Sequence, residues 1–232
     1  MSKMRTTVWV GFTGVALCLI SGCVSRNGVG EFANDVAFMS EHTPILLLKD
    51  GDASVAVAPD YQGRVMTSTY DRNVGPSFGW INRPVIEKGL LSDEEKKGTL
   101  EEHIYTFGGE ERFWLGPEGG QYALFFKPGT KFEFSDWTTP PVIDTEAFNL
   151  VEKTRNSATF EHNTELINYR GSKFKVGIER RVKLLGKPEA SDLLGVEFGE
   201  GLRMVCYETD NRITNTGSNA WKPETGLLSI WM

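Results

Sequence analysis

Hydrophobic and polar positions alternate most cleanly between residues 173 and 185. Phe174, Val176, Ile178, Val182 and Leu184 fall on one face, and Lys173, Lys175, Glu179, Arg181 and Lys183 on the other. A helix would bring its faces round every ~3.6 residues, so this period-two run predicts a half-buried strand. Arg180 interrupts the apolar face. A cation there must be paired or lie at a rim, which makes it either a structural ion-pair partner or a site residue. Upstream, 148–153, 158–162 and 165–169 read as three shorter strands, with turns at Arg155-Asn156, Asn163 and Arg170-Gly171-Ser172. Downstream, 204–214 reads as another strand, ending at the turn Asn215-Thr216-Gly217-Ser218.

The N-terminal half repeats the theme. Two apolar runs, 44–49 and 53–58, flank Asp50-Gly51-Asp52, a hairpin signature. Residues 64–70 follow as a strand, with Val65, Thr67 and Thr69 alternating against Met66 and Ser68. Phe32, Val36 and Met39, spaced by four and three, predict one short amphipathic helix over 31–41. The expected fold is mainly β, an antiparallel β-sandwich with one short N-terminal helix.

Residues 72–141 break the pattern. They are rich in Gly, Pro and Trp, with a capping box at Ser92-Asp93-Glu94-Glu95, Gly98 closing that turn, and a buried strand expected at 122–126. So long an irregular stretch, with this much aromatic content, predicts functional loops rather than a linker.

The first residues read as an address. Lys3 and Arg5 precede an apolar run over 8–20, which ends in Ile20-Ser21-Gly22-Cys23. The run falls short of the ~20 residues that cross a bilayer and has the shape of a secretory signal peptide. Its end resembles the bacterial lipobox, which implies cleavage before Cys23 and acylation of that cysteine. Residues 1–22 are then the signal, 23–31 a lipidated tether, and 32–232 the β domain. Val24, a non-Asp residue after the cysteine, implies by resemblance to enterobacterial sorting an outer-membrane protein facing the periplasm or the cell surface. With Cys18 removed and Cys23 acylated, Cys206 has no disulfide partner.

Composition narrows the chemistry. Over 232 residues the formal charge is −6, which argues against a nucleic-acid partner. His42, His103 and His162 are far apart in the chain and no Cys pair exists, so no zinc or non-haem iron site is expected. No nucleophile elbow, P-loop or dinucleotide fingerprint is present, and no cofactor is expected.

The segment Ala58-Pro59-Asp60-Tyr61-Gln62-Gly63-Arg64-Val65-Met66-Thr67-Ser68 resembles the opening hairpin of aldose 1-epimerases (galactose mutarotases). Phe113-Trp114-Leu115-Gly116-Pro117-Glu118-Gly119-Gly120 resembles an aromatic loop with a Pro-Glu pair in related sugar-binding proteins. Residues 177–184 and Arg212-Ile213-Thr214-Asn215-Thr216-Gly217 resemble that fold's central strands and its turn. In this order, over roughly 43–230, the motifs resemble a bacterial lipoprotein family with the galactose-mutarotase-like supersandwich, here partial. The resemblance implies a sugar substrate. It does not supply the catalytic pair, because the Asn-His-x-x-Phe motif is absent and the late Glu base would fall beyond residue 232.

Sugars offer apolar C–H faces to flat rings and hydroxyls to bidentate donors and carboxylates. Trp80, Asn82, Arg83, Arg112, Trp114 and Trp137 supply those groups in the loops as candidate substrate-binding residues, and Glu118 is the candidate catalytic carboxylate. The expected function is a lipid-anchored envelope protein that binds, and in an epimerase-like variant modifies, a sugar or glycan. The alternative is a structural or protein-interaction lipoprotein. The final apolar run, 227–232, reads as a strand that stops without a turn, so the domain is expected to be incomplete at its C-terminus.

Overall fold

The structure is a computed structural model that describes residues 30–231. The expected signal segment, Cys23 and residues 24–29 of the expected tether lie outside the described residues, while Glu31, expected in the tether, already begins α1. Along the chain run α1 (Glu31–His42), β1 (Leu46–Asp50), β2 (Ala53–Ala58), β3 (Arg64–Thr69), α2 (Arg83–Lys88), β4 (Trp114–Gly116), β5 (Asn149–Lys153), β6 (Ser157–Ile167), β7 (Lys173–Leu184), α3 (Lys187–Leu194), β8 (Tyr207–Asn215) and β9 (Ser229–Trp231). Every strand pairing is antiparallel: β1-β2-β3, then β5-β6-β7-β8, and the short pair β4-β9. The mainly-β expectation holds.

The alternation in β7 does what its period requires. Its apolar face joins Phe160 and Ala158 of β6 in a core that also takes Leu48, Val55, Val57 and Val65 from the first sheet. The two larger sheets therefore share one hydrophobic interior. The first sheet is covered on its other side too: Ala56, Ala58 and Met66 pack with Phe32 and Met39 of α1, Ile86 of α2, and Phe107. That second cover explains why every residue of β3 is buried, on both faces of the strand.

Turn chemistry fixes the joints. Gly51 takes a positive φ in the two-residue β1–β2 turn, where Asp50 pairs with Ala53. Gln62 and Gly63 both take left-handed φ between the Pro59–Tyr61 turn of 3-10 helix and β3. A Cβ on Gly63 would come within 2.7 Å of the Phe160 ring, so only glycine lets this turn close onto the opposite sheet.

Four expectations are corrected. Asn163 is no turn: β6 runs unbroken past it, with Asn163 opposite Gly177, because the long β7 ladder continues to satisfy its backbone. Residues 122–126 are largely buried but form no strand. Their backbone groups bond instead to Pro117, Gly120, Thr138 and Tyr169. The strand expected from 204 starts only at Tyr207, and the last, expected from 227, only at Ser229. Two short helices also went unread. α2 and α3 each carry a proline in the first turn, and α3 ends on Gly195 in the left-handed conformation.

Candidate functional site

Strand β4 pairs Trp114 with Trp231 and Gly116 with Ser229, which fixes the loop that follows it. Glu118 then folds back so that the Trp114 indole Nε1 donates to its Oε1 at 2.6 Å. On the other side, the Arg112 guanidinium lies over the Trp114 ring, 4.2 Å from its centre. Arg112 also donates to the Ile143 carbonyl and to Asp144 Oδ1 (3.3 Å). Trp114 packs against Phe125 (5.3 Å), Phe125 stacks on Trp137 (5.3 Å, 16°), and Trp137 stacks on Phe134 (6.0 Å, 16°). His103 caps the row, 4.4 Å from Phe134, and its Nδ1 lies 2.7 Å from the Trp137 carbonyl oxygen. Arg112, Trp114, Glu118 and Trp137 thus meet in one aromatic row. Phe125 is buried inside it and Phe134 stands 62% exposed at its end.

The remaining three candidates are elsewhere. Trp80 is 63% exposed beside the Ile81–Gly108 bridge. Asn82 uses its amide on the Thr106 carbonyl and hydroxyl (2.8 and 3.2 Å). Arg83 pairs with Asp35 at 2.6 Å and covers the Phe38 ring, tying α2 to α1. Asn82 and Arg83 have structural employment, and none of the three joins the aromatic row.

Behind the row lies a charged layer that sequence reasoning missed in part. Arg64 is only 2% exposed, donates Nη1 to the Gly108 carbonyl (3.0 Å), and sits over the Tyr61 and Phe107 rings. Its Nε and Nη2 have no hydrogen-bond partner. Burial, with the Arg112 cation nearby, pushes its pKa down to about 9. Asp144 faces both arginines and accepts from the Tyr105 N–H, yet burial holds its carboxyl above the usual range. Arg180 resolves to the structural alternative. It is fully buried, donating to both oxygens of Glu111, to Asn211 Oδ1 (2.8 Å) and to the Gly63 carbonyl (3.0 Å). Beside it, burial raises the Glu110 carboxyl, which accepts from the Ser68 hydroxyl at 3.0 Å. The signal for these partners was the pair Glu110-Glu111 in a glycine-flanked stretch, adjacent to Arg112.

A cavity of about 350 Å³ opens between α1, α2 and the Pro59–Tyr61 turn. It is lined by His42, Thr43, Asp60, Tyr61, Phe107 and Thr145 among others, and Thr43 donates to Asp60 (3.2 Å). Among the described residues no group of three or more His, Cys, Asp or Glu side chains is gathered as for a metal ion, and no helix is long and apolar enough to cross a membrane. No curated protein and no solved structure matches the chain. Residues 30–232 match the DUF6786 model, a family of unknown function, and the chain belongs to that family.

Proposed function

We propose that the protein is a lipid-anchored component of the bacterial cell envelope that binds a sugar or glycan through the Trp114 row. The observation that carries this reading is the alignment of Phe134, Trp137, Phe125 and Trp114, with Arg112 and Glu118 beside the last ring. The exposed Phe134 ring and the part-exposed Trp137 and Trp114 offer apolar surface to a sugar's C–H face, and a guanidinium and a carboxylate take hydroxyls. The resemblance of the Ala58–Ser68 hairpin and the Pro117-Glu118 loop to mutarotase-like proteins supports the same ligand class. The N-terminal Ser21-Gly22-Cys23 pattern supports the anchor.

Binding is favoured over turnover. Epimerisation or glycoside cleavage uses two opposed acid–base groups. Besides Glu118, the carboxylate tied into this row is Asp144, and it is committed to Arg112 and the Tyr105 N–H. A glycan array and a thermal-shift screen with mono- and oligosaccharides test the reading. A hit that weakens at least about tenfold, or ~1.4 kcal/mol, in Trp114→Ala and Glu118→Ala supports it. Binding unchanged in both variants, or no sugar response in either screen, rejects it. Polarimetry with freshly dissolved glucose and galactose separates binding from mutarotation.

A further inference from the structure

The described chain starts at a fixed point. The Gly30 N–H donates to the Asn73 carbonyl at 3.0 Å, and a Cβ there would lie 2.6 Å from the Val74 carbonyl carbon. The loop that receives Gly30 is fastened in turn to a second one. Asp71 accepts from the Asn73 and Val74 N–H groups and pairs with Arg203, whose guanidinium lies 4.4 Å from the Tyr70 ring centre. Apolar side chains stand out there: Val74 and Phe78 on the first loop, Leu193 near the end of α3, and Val196 and Leu202 on the second loop. Leu194, Val196 and Leu202 also line an open, mostly apolar groove.

We infer that this two-loop rim is the surface the domain rests on a lipid bilayer. The inference rests on the reading that Cys23 is acylated. Six residues lie between Cys23 and Gly30, and the seven steps reach at most about 25 Å, whereas a domain of this size is roughly 40 Å across. The face around Gly30 is therefore held at the membrane, and the opposite face cannot swing down to it. Large apolar side chains at that place gain by entering the headgroup–acyl boundary, which adds a second attachment to the lipid. Charge gives no competing account. Arg72, Lys187 and Arg203 are outnumbered there by Asp71, Asp192, Glu197 and Glu200, so the contact is apolar and gains nothing from anionic lipid.

The test uses the acylated full chain carrying Cys206→Ser, on vesicles of phosphatidylethanolamine with or without phosphatidylglycerol. Nitroxides are introduced by Val74→Cys, Val196→Cys or Leu202→Cys, with Glu152→Cys on the exposed strand β5 as the water-facing reference. At 74, 196 and 202 the label is expected to be reached by oxygen in preference to a water-soluble nickel complex, with the order inverted at 152 and no change on adding the anionic lipid. Labels at all three rim positions as open to nickel as the one at 152, on a chain whose N-terminal peptide carries acyl chains by mass spectrometry, overturn the rim alone. Contact that arises only with anionic lipid overturns its apolar basis. A Cys23 without lipid overturns the anchoring reading and this one with it.

Discussion

Arg180 and Arg64 are both buried to within a few per cent, and both sit where a strand of one sheet meets the opposite layer, yet their surroundings differ in kind. Arg180 gives Nε, Nη1 and Nη2 to acceptors, and its charge is matched by Glu111. Arg64 satisfies one nitrogen, leaves two without partners, and shares Asp144 with a second cation, Arg112. The first region is a closed ion pair that pins β7 to the loop before β4. The second holds more positive than negative charge away from water. A guanidinium is therefore no guide to stability by itself; what matters is how many of its five N–H groups find acceptors when water is excluded.

The comparison is tested most strongly at Arg180. Arg180→Met leaves Glu111 buried without its cation and is expected to cost about 3–5 kcal/mol in urea unfolding. Adding Glu111→Leu should return much of that loss, and a double variant no better than the single one would break the argument. Next in size, Asp144→Ala removes the acceptor of the Tyr105 N–H and of Arg112, leaves buried donors without partners, and is expected to destabilise by about 1–3 kcal/mol. Arg64→Met should change stability by less than about 1 kcal/mol, because the loss of the Gly108 bond is offset by removal of a poorly partnered charge. A loss at Arg64 as large as at Arg180 would erase the distinction.

The smallest effect is a pH dependence. The Glu110 carboxyl is raised in the folded state, so above the ordinary carboxylate range the folded protein holds a proton that the unfolded chain has released. Stability from this group is then present at low pH and declines as pH climbs towards the raised value. Asp144 contributes in the same direction. Glu110→Gln should flatten the slope, its benefit over wild type growing from pH 4.5 to pH 7 in thermal melts. A parallel pair of melting curves across that range would count against it.

Legibility tracked the range of the interaction. Strand β7, the Gly51 hairpin and α1 were readable because their patterns are local: period two, a turn glycine, spacing by four and three. The capping box is present, with Glu95 accepting from the Ser92 N–H (2.9 Å). Arg180 announced itself as an intruder on an apolar face, but its partner lies 69 residues away and no local pattern names it. The double burial of β3 was hidden for the same reason, since its second cover comes from α1, α2 and Phe107. In the candidate site, Arg112, Trp114 and Glu118 are neighbours in sequence and were read together, and Trp137 joins them through Phe125. Trp80, Asn82 and Arg83 had the right chemistry for a sugar but belong to the α1–α2 side, where packing uses the last two.

The pairing of β4 with β9 sets a schedule for folding. Trp114 finds its strand partner only at Trp231, so the row that starts at Trp114 stays unsupported until residues 229–231 have been made. Contacts this distant in sequence form late, after the local hairpins and the β5–β8 meander have paid their loop entropy. The Trp114 row is therefore among the last parts of the described fold to set, and a chain stopped short of Ser229 keeps its hairpins but lacks the strand that holds Trp114.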